Sequence, residues 1–260
     1  GSLALGLTGL GGFWLAQRAI HPVERSYEQL KQFTADASHE LRGPLTAITT
    51  SVEVMQKHPE RVHDKDRKKL SAIASAATQL HTLAEDLLLL ARMDAQAIAA
   101  PPQKVDLNAL LHRTVEFHRP AAQAKAIALQ FEEKAMLSVL GYPLPLSRLF
   151  ANLIQNALHY TPQGQVIVTL SQSRRSAHVC VADTGIGIAE AEFPCLFDRF
   201  WRADKARSRR IGGSGLGLAI VKAITQQHRG KISVSSQVNV GSTFHVYLPL
   251  VSSDGSMSPG

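Results

Sequence analysis

His39 is the residue of this chain with the clearest capacity for chemistry, in the run His39-Glu40-Leu41-Arg42-Gly43-Pro44-Leu45. Apolar residues recur around it at steps of three and four, which predicts a helix that buries one stripe. At about 100° per residue, His39 lies roughly 200° from Ala37 and faces away from that stripe. Pro44 removes the backbone hydrogen bond to the carbonyl of Glu40 and predicts a local bend. An imidazole that faces outward beside an acidic residue and a helix bend indicates that His39 takes part in a reaction. A single histidine on a helix is, however, more often simply a solvent-exposed residue.

Two asparagines form a second candidate site. Asn152 and Asn156 stand four residues apart in a helix predicted over 148–160, so they share a face. Two amide oxygens on one face suit a Mg²⁺ ion whose other ligands are phosphate and water. Paired asparagines are also common on solvated helices, so the pair acquires this meaning only together with the glycine-rich segments that follow it.

Two glycine-containing segments complete the candidate nucleotide site. The first, 183–187, ends an apolar strand. Its Asp183 can accept a hydrogen bond from the exocyclic amine of adenine, while its glycines let the backbone approach the ring. The alternative is an ordinary Asp-Thr-Gly turn. The second, 212–218, precedes a predicted helix, whose first amides and dipole attract phosphates. It is neither a Walker loop, because Gly-Lys-Ser/Thr is missing, nor a Rossmann fingerprint, because no strand precedes it.

Composition describes a folded protein with room for two domains. The chain has 260 residues, of which 45% are hydrophobic and 19% charged. The net charge of +7 is concentrated in part in six basic residues over 199–210, with no periodic basic face, so nucleic acid is not expected as a partner. The two cysteines, Cys180 and Cys195, have no metal-ligand spacing and are too few for a disulfide framework, which indicates a reducing compartment. Cys180 is predicted to be a buried thiol.

The first 21 residues are apolar and rich in glycine. Leu3–Ala16 is shorter than the ~20 residues of a full membrane span, and no basic segment precedes it as in a signal peptide. We interpret residues 1–21 as the cytoplasmic end of a truncated transmembrane helix, with Arg18 and Arg25 on its positive-inside flank. The start at Gly1-Ser2 indicates a fragment of a longer protein.

Residues 22–98 are predicted to form an antiparallel helical hairpin. Its helices cover 23–57 and 64–97, and His58-Pro59-Glu60 separates them. One hairpin cannot bury apolar seams this long, so a symmetric dimer that forms a four-helix bundle is expected. The alternative is a monomeric hairpin packed on the second domain.

The remainder of the chain has a mixed pattern. Residues 99–105 are a linker that contains Pro101-Pro102, 106–250 form an α/β domain, and 251–260 are a disordered tail. Helices are predicted at 107–118, 148–160 and 218–228, and strands at 165–170, 177–182, 231–235 and 243–249.

In their order these motifs resemble the membrane-bound sensor histidine kinases of bacterial two-component systems, from about Ser26 to Pro249. The matching segments are the phospho-acceptor box at 33–42, the N box at 152–157, the G1 box at 183–187, the F box at 197–200 and the G2 box at 213–218. The resemblance implies a helical hairpin that forms a dimeric bundle for dimerisation and phosphotransfer, followed by an ATP-binding α/β sandwich of the GHKL type. In that sandwich a mixed sheet faces one layer of helices, and the nucleotide lies on the helical side.

The resemblance implies an ATP-dependent protein-histidine kinase. Neutral His39 would attack the γ-phosphate while Glu40 holds the imidazole and takes a proton, and the phosphoryl group would pass to an aspartate of a response-regulator receiver domain. ATP and Mg²⁺ are the implied cofactors, with Asn156 and Asn152 as metal ligands, and the basic stretch 199–210 would form a lid. The implied nucleotide-binding residues are Asn152, Asn156, Tyr160, Asp183, Gly185, Gly187, Phe200, Gly213, Gly215, Leu216, Gly217 and Leu218.

It also implies a homodimer at the inner (plasma) membrane, with this fragment on the cytoplasmic side. Three positions depart from the family pattern: Gly43 replaces a small polar residue, His159 a basic one, and Tyr142 an acidic one. Two alternatives remain at this point. One is a dimeric nucleotide-binding signalling scaffold without autokinase activity, and the other is a GHKL ATPase without phosphotransfer.

Overall fold

The structure is a computed structural model that describes residues 43, 46–58, 62–94, 101–202 and 214–251. The chain separates into two compact units, Gly1–Ile98 and Ala99–Gly260. Several predictions therefore lie outside the described residues: the membrane segment 1–21, His39, Glu40, Gly213, most of the basic stretch 199–210 and the tail from 252. Within the described ranges, no helix is both long and apolar enough to cross a bilayer.

Two helices make up the described part of the first unit. Helix α1 covers residues 46–57, and α2 covers Asp64–Asp94. Helix α1 ends just before His58, as expected for a residue that precedes a proline. Among the residues that the structure describes in this unit, Val52, Ala77 and Leu90 are buried and apolar.

A second set of apolar residues in this unit faces outward. Ile73, Leu80 and Leu87 of α2 are 51%, 55% and 41% exposed, and Ile48 and Met55 of α1 are 46% and 49% exposed. In each helix the members are seven residues apart, so they lie on one side of it. We call these five residues the heptad stripe. Within the described residues of this unit, they and Val54 are the large apolar side chains that one copy leaves exposed.

The second unit is built on a five-stranded mixed sheet. The unit has seven described strands, five of which form this sheet: β1 Gln103–Asp106, β2 Ile127–Glu133, β3 Ser138–Gly141, β4 Gly164–Ser173, β5 Ser176–Asp183, β6 Lys231–Gln237 and β7 Gly241–Pro249. The sheet order is β2-β4-β5-β7-β6, with β2 parallel to β4 and the other neighbours antiparallel. Strands β1 and β3 pair separately as a two-stranded antiparallel ribbon.

Three helices cover one face of this sheet. They are α3 Leu107–Ala124, α4 Pro143–Tyr160 and α5 Gly217–Gln227, and a short 3-10 helix covers Glu190–Cys195. Their buried leucines and isoleucines form one core with the buried side chains of the strands. The predicted architecture, a helical region followed by a mixed sheet that faces one layer of helices, is confirmed.

Alternation along β5 decides which side chains enter that core. Ala177, Val179 and Val181 are buried, whereas His178 and Cys180 between them are half-buried on the opposite face. The prediction that Cys180 is a buried thiol is therefore wrong. We call this second face the open face, because none of the helices described in this unit covers it.

The structure also extends the predicted elements. Helix α3 continues to Ala124 through Pro120, and α4 begins at Pro143 rather than at 148, with proline in its first turn. Strands β1 and β3, of four residues each, are too short to show a period in the sequence.

Candidate functional site

Helix α4 places the two asparagines of the candidate site. Asn152 is buried, and its side-chain nitrogen lies 3.5 Å from the carbonyl oxygen of Gly217 at the start of α5. Asn156 lies one turn later, half-buried, and its side-chain amide has no hydrogen-bond partner among the described residues. The two amides therefore differ: that of Asn152 is directed at α5, and that of Asn156 is available to a ligand.

Asp183 ends β5 in a polar pocket made by backbone amides. Its Oδ1 accepts the N–H of Gly185 at 2.8 Å and that of Ser242 at 3.3 Å. Burial raises the pKa of Asp183 above its ordinary value, and these two hydrogen bonds oppose the shift. Its other carboxylate oxygen makes no hydrogen bond to a described residue, so it can accept a donor from a ligand.

The turn after Asp183 is held against the end of α4. The N–H of Ile186 donates to the carbonyl of Tyr160 at 3.1 Å. A Cβ atom on Gly185 would overlap that same carbonyl, and Gly187 has a φ of +70°, so both positions require glycine. The exposed ring of Tyr160 packs edge-on against His159, with the ring centroids 4.8 Å apart.

Two hydroxyl groups tie this turn to neighbouring strands: that of Thr184, within the turn, contacts β4, and that of Ser236 reaches the turn from β6. Thr184 Oγ1 accepts the N–H of Gln165 at 3.0 Å. Ser236 Oγ accepts the N–H of Ile188 at 2.8 Å and donates to the carbonyl of Gly241 at 2.8 Å. Sequence analysis missed Ser236, because only the pairing of β6 with β7 brings it to the turn. No local signal marks it.

The glycine-rich segment that precedes α5 is tied to the segment around Phe200. Gly215 has a φ of +72°, and its carbonyl accepts the N–H of Phe200 at 3.0 Å. Leu216 is fully buried and Leu218 half-buried, so they anchor the start of α5. No described side chain caps this helix and its first turn has no acidic residue, so no described group competes with a ligand for its leading amides.

His159 stands next to two cations. Burial, followed by the charges of Lys125 and Arg202, lowers its pKa below the ordinary histidine value. The imidazole is therefore neutral near pH 7, and the positive charge in this region belongs to Lys125 and Arg202. The ammonium of Lys125 also donates to the carbonyl of Leu158 at 2.9 Å.

These contacts bring two distant segments to one helix. The middle of α4 meets the start of α5 at Asn152, and its end meets the Asp183 turn at Tyr160. Together they offer a carboxylate acceptor, an unpartnered amide and a row of backbone N–H groups. A nucleotide has the complementary parts, an exocyclic amine, a bound cation and phosphates.

Two protein families match this chain. Residues 29–96 match the His Kinase A (phospho-acceptor) domain, and residues 141–252 match the histidine kinase-, DNA gyrase B- and HSP90-like ATPases. The first match contains His39, and the second contains every described residue of the candidate nucleotide site.

Individual proteins are similar over most of the chain. The sensor histidine kinase RppB of Synechocystis sp. is 37% identical over 96% of this chain and 56% of its own length. The phosphate regulon sensor protein PhoR of Pseudomonas aeruginosa is 33% identical over 87% and 52%. The chain thus spans about half the length of the curated relatives it matches.

Solved structures agree with these matches. Full-length ShkA in complex with AMPPNP superposes with a TM-score of 0.72 at 26% identity, over 88% of this chain and 47% of that one. The mycobacterial sensor histidine kinase MprB has a TM-score of 0.51 at 30% identity, over 57% and 97%. Domain order, motif positions and fold therefore place the chain among the sensor histidine kinases of two-component systems.

Proposed function

We propose that this chain phosphorylates itself on His39 with ATP and then transfers the phosphoryl group to an aspartate of a response-regulator receiver domain. The observation that carries the proposal is that the Asp183 turn and the first turn of α5 both meet α4, the helix that carries Asn156. The match of the first unit to the phospho-acceptor family supports His39 as the acceptor.

The described residues suggest how ATP is held. The free carboxylate oxygen of Asp183 accepts the adenine amine, and Gly185 and Gly187 allow the backbone to approach the ring. The open amides at Gly217 and Leu218 face the phosphates, where the positive end of the helix dipole favours an anion. Tyr160, Phe200, Gly215 and Leu216 shape the walls between these two ends.

Asn156 is suited to hold Mg²⁺. Its half-buried amide lacks a described partner, and an amide oxygen is a hard ligand of the kind that Mg²⁺ accepts. The side-chain nitrogen of Asn152 points at Gly217, so its side-chain oxygen is left to assist Asn156 in holding the ion. When bound, Mg²⁺ would neutralise charge on the phosphates.

The phosphoryl transfer uses His39 and Glu40, which lie outside the described residues. A ring nitrogen of neutral His39 attacks the γ-phosphorus, and the bond between that phosphorus and the oxygen bridging to the β-phosphate breaks, so ADP leaves. Glu40 takes the proton released from the imidazole.

The heptad stripe supports a homodimer. Five large apolar side chains on one hairpin are exposed in a single copy, and a second hairpin would cover them in a four-helix bundle. We assign 22–98 to this bundle and 251–260 to a tail. The linker predicted over 99–105 overlaps β1, which begins at Gln103 and pairs with β3, so we assign the linker to 99–102 and the catalytic domain to 103–250. We also propose that residues 1–21 belong to the end of a transmembrane helix, in which case the fragment would lie on the cytoplasmic side of the inner membrane.

Labelling with γ-radiolabelled ATP tests the kinase proposal. The parent should acquire a label that is lost in acid and kept in alkali, as expected for a phosphoramidate. His39→Gln should abolish labelling and still bind nucleotide, whereas His63→Gln, a change at an exposed histidine of the same unit, should label normally.

Three other outcomes would contradict the proposal. A parent that binds ATP without becoming labelled would be a signalling scaffold. A parent that releases phosphate without labelling would be an ATPase of the GHKL type. Acid-labile label on His39→Gln would move the acceptor to another of the 11 histidines.

A further inference from the structure

Three side chains with metal-binding atoms meet on the open face of the sheet, away from the candidate nucleotide site. His178 and Cys180 lie two residues apart on β5, and His245 is the direct cross-strand partner of Cys180 on β7. All three are half-buried, and one ligand atom from each lies within 4.8 Å of the others. We call them the His-Cys-His cluster.

Hydrogen bonding within the protein cannot explain all the contacts of the cluster. His245 Nδ1 lies 3.0 Å from the sulfur of Cys180 and 3.1 Å from Nε2 of His178. A ring nitrogen has one lone pair or one hydrogen, so it forms a full hydrogen bond with only one of these neighbours. A cation can accept a lone pair from all three atoms at once.

The spacing of the three atoms is near that of ligands on a tetrahedral metal ion, except that the contact between the Cys180 sulfur and His245 Nδ1 is about 0.6 Å shorter. Zinc binds histidine nitrogen at about 2.0–2.1 Å and cysteine sulfur at about 2.3 Å, so tetrahedral ligands stand roughly 3.3 Å (N to N) and 3.6 Å (N to S) apart. The sulfur of Cys180 is 3.8 Å from Nε2 of His178, and the other two separations are 3.0 and 3.1 Å. A point equidistant from all three atoms is about 2 Å from each, which is close to these bond lengths.

The remaining ring nitrogens already face partners. His178 Nδ1 lies 3.5 Å from the hydroxyl of Ser171 on β4, and His245 Nε2 lies 3.3 Å from that of Ser235 on β6. Metal-binding histidines characteristically use the second nitrogen in this way, which fixes the tautomer and the ring orientation. Tyr247 stacks on the His178 ring with the planes 4° apart and the centroids 4.4 Å apart.

We propose that His178, Cys180 and His245 bind Zn²⁺, with water in the fourth position. Two imidazoles and a thiolate favour a borderline or soft transition metal over Mg²⁺ or Ca²⁺. Cys180 gives its proton to the solvent when the metal binds. The nearby ammonium of Lys134 is paired with Glu132 at 3.3 Å, which offsets its repulsion of a bound cation.

Occupancy of this site would link β5 to β7 without touching the nucleotide. Asp183 follows Val179 and Val181 on the helix-covered face of β5, whereas the cluster occupies the open face. The proposal is therefore independent of the kinase function, and it holds or fails whether or not the chain phosphorylates itself.

Titration of the intact chain with Zn²⁺ and with Co²⁺, in the presence of a chromophoric chelator, tests the site. We expect one equivalent of metal to bind, a thiolate-to-cobalt charge-transfer band to appear, and Zn²⁺ to displace the cobalt. Cys180→Ser should lose the band and most of the affinity, whereas Cys195→Ser, which removes the other thiol, should keep both.

Changes around the cluster sharpen the test. Ser235→Ala should weaken Zn²⁺ binding by about 10–100-fold, the usual effect of removing a partner of a ligand, and His245→Gln should weaken it further. Nucleotide binding should be the same with and without Zn²⁺. Binding that Cys180→Ser leaves intact, a cobalt band that depends on Cys195, or uptake of Cu⁺ without uptake of Zn²⁺ would each overturn the assignment.

Discussion

At the scale of single residues, the hydrogen bonds of Asp183 determine which of its carboxylate oxygens can bind a ligand. One carboxylate oxygen already accepts two backbone N–H groups, and the other is free for a ligand. Asp183→Asn should keep the turn and lose the charged acceptor. A hydrogen bond to a charged group contributes about 1.5–3 kcal/mol, so ATP should bind roughly 10–150-fold more weakly in calorimetry without metal.

A matched control for this variant is Asp66→Asn. It removes the same charge from an exposed position in the first unit, where the carboxylate pairs with Lys69. This control should bind ATP like the parent. Parent-like affinity in Asp183→Asn itself, with an unchanged melting temperature, would show that adenine lies elsewhere.

Gly43 is a second residue with a testable role. The family resemblance implies that a small polar side chain one turn after the histidine holds the water that dephosphorylates the regulator, and glycine cannot hold it. A Cβ atom on Gly43 would meet nothing within 4 Å, so a larger residue fits. We expect the parent to have weak phosphatase activity and Gly43→Thr to raise it several-fold.

The decay of purified phospho-regulator with ADP present measures this activity. Gly43→Ala is the matched control, because it removes the ~1 kcal/mol helix penalty of glycine without adding a hydroxyl. Equal gains in Gly43→Ala and Gly43→Thr would assign the effect to helix stiffness. Rapid decay with the parent would show that another residue positions the water.

At the scale of elements, His228 joins the end of α5 to the start of α4. Its Nδ1–H donates to the carbonyl of Ile224 at 2.8 Å, and its Nε2 accepts the N–H of Tyr142 at 3.0 Å. Both bonds together require the neutral imidazole, because protonated Nε2 would face a second donor. Burial accordingly lowers the pKa of His228 below its ordinary value.

This junction predicts a loss of stability in acid. A lowered pKa means that the unfolded chain binds the proton more readily, so the free energy of unfolding is highest above about pH 6.5 and falls as the pH drops through the folded pKa. His159, His178 and His245 have lowered pKa values as well and contribute to the same slope.

Comparison with His228→Gln isolates the contribution of His228. The variant should be less stable at pH 8 and should lose less stability than the parent between pH 7 and pH 5, as measured by urea unfolding. His112→Gln, at an exposed position of α3, should follow the parent curve. An identical pH slope in His228→Gln and the parent would contradict the role.

The same scale shows what could be predicted from sequence. Motifs made of consecutive residues, such as Asp183 before its glycines, can be recognised in the sequence because neighbours in sequence stay neighbours in space. Ser236 and the His-Cys-His cluster are different, since each depends on which strands pair. His178 and Cys180 share a face by alternation alone, but His245 joins them only through the register of β5 with β7.

At the scale of the whole molecule, the heptad stripe predicts a dimer that can be weakened at one position. Leu80 is 55% exposed in one copy, and its burial in a symmetric bundle would occur twice. Burying a leucine contributes about 1.5–3 kcal/mol, so Leu80→Glu should raise the dimer dissociation constant by about a hundredfold or more.

Sedimentation velocity over a concentration series measures this change. Leu144→Glu is the control, because Leu144 is 84% exposed on the second unit and belongs to no apolar stripe. It should sediment like the parent. Dimers of undiminished affinity in Leu80→Glu would place the interface elsewhere.

The hydrogen bond between Phe200 and Gly215 determines where the length of such a chain can vary. It fixes both ends of the intervening segment side by side, whatever its length. The entropic cost of closing a chain between two fixed points grows slowly with its length, because doubling the number of residues adds only about 0.6 kcal/mol. We therefore expect a change in the number of residues between Phe200 and Gly215 to leave the sheet and α5 in place, so chains of this family can differ in length here without refolding the domain.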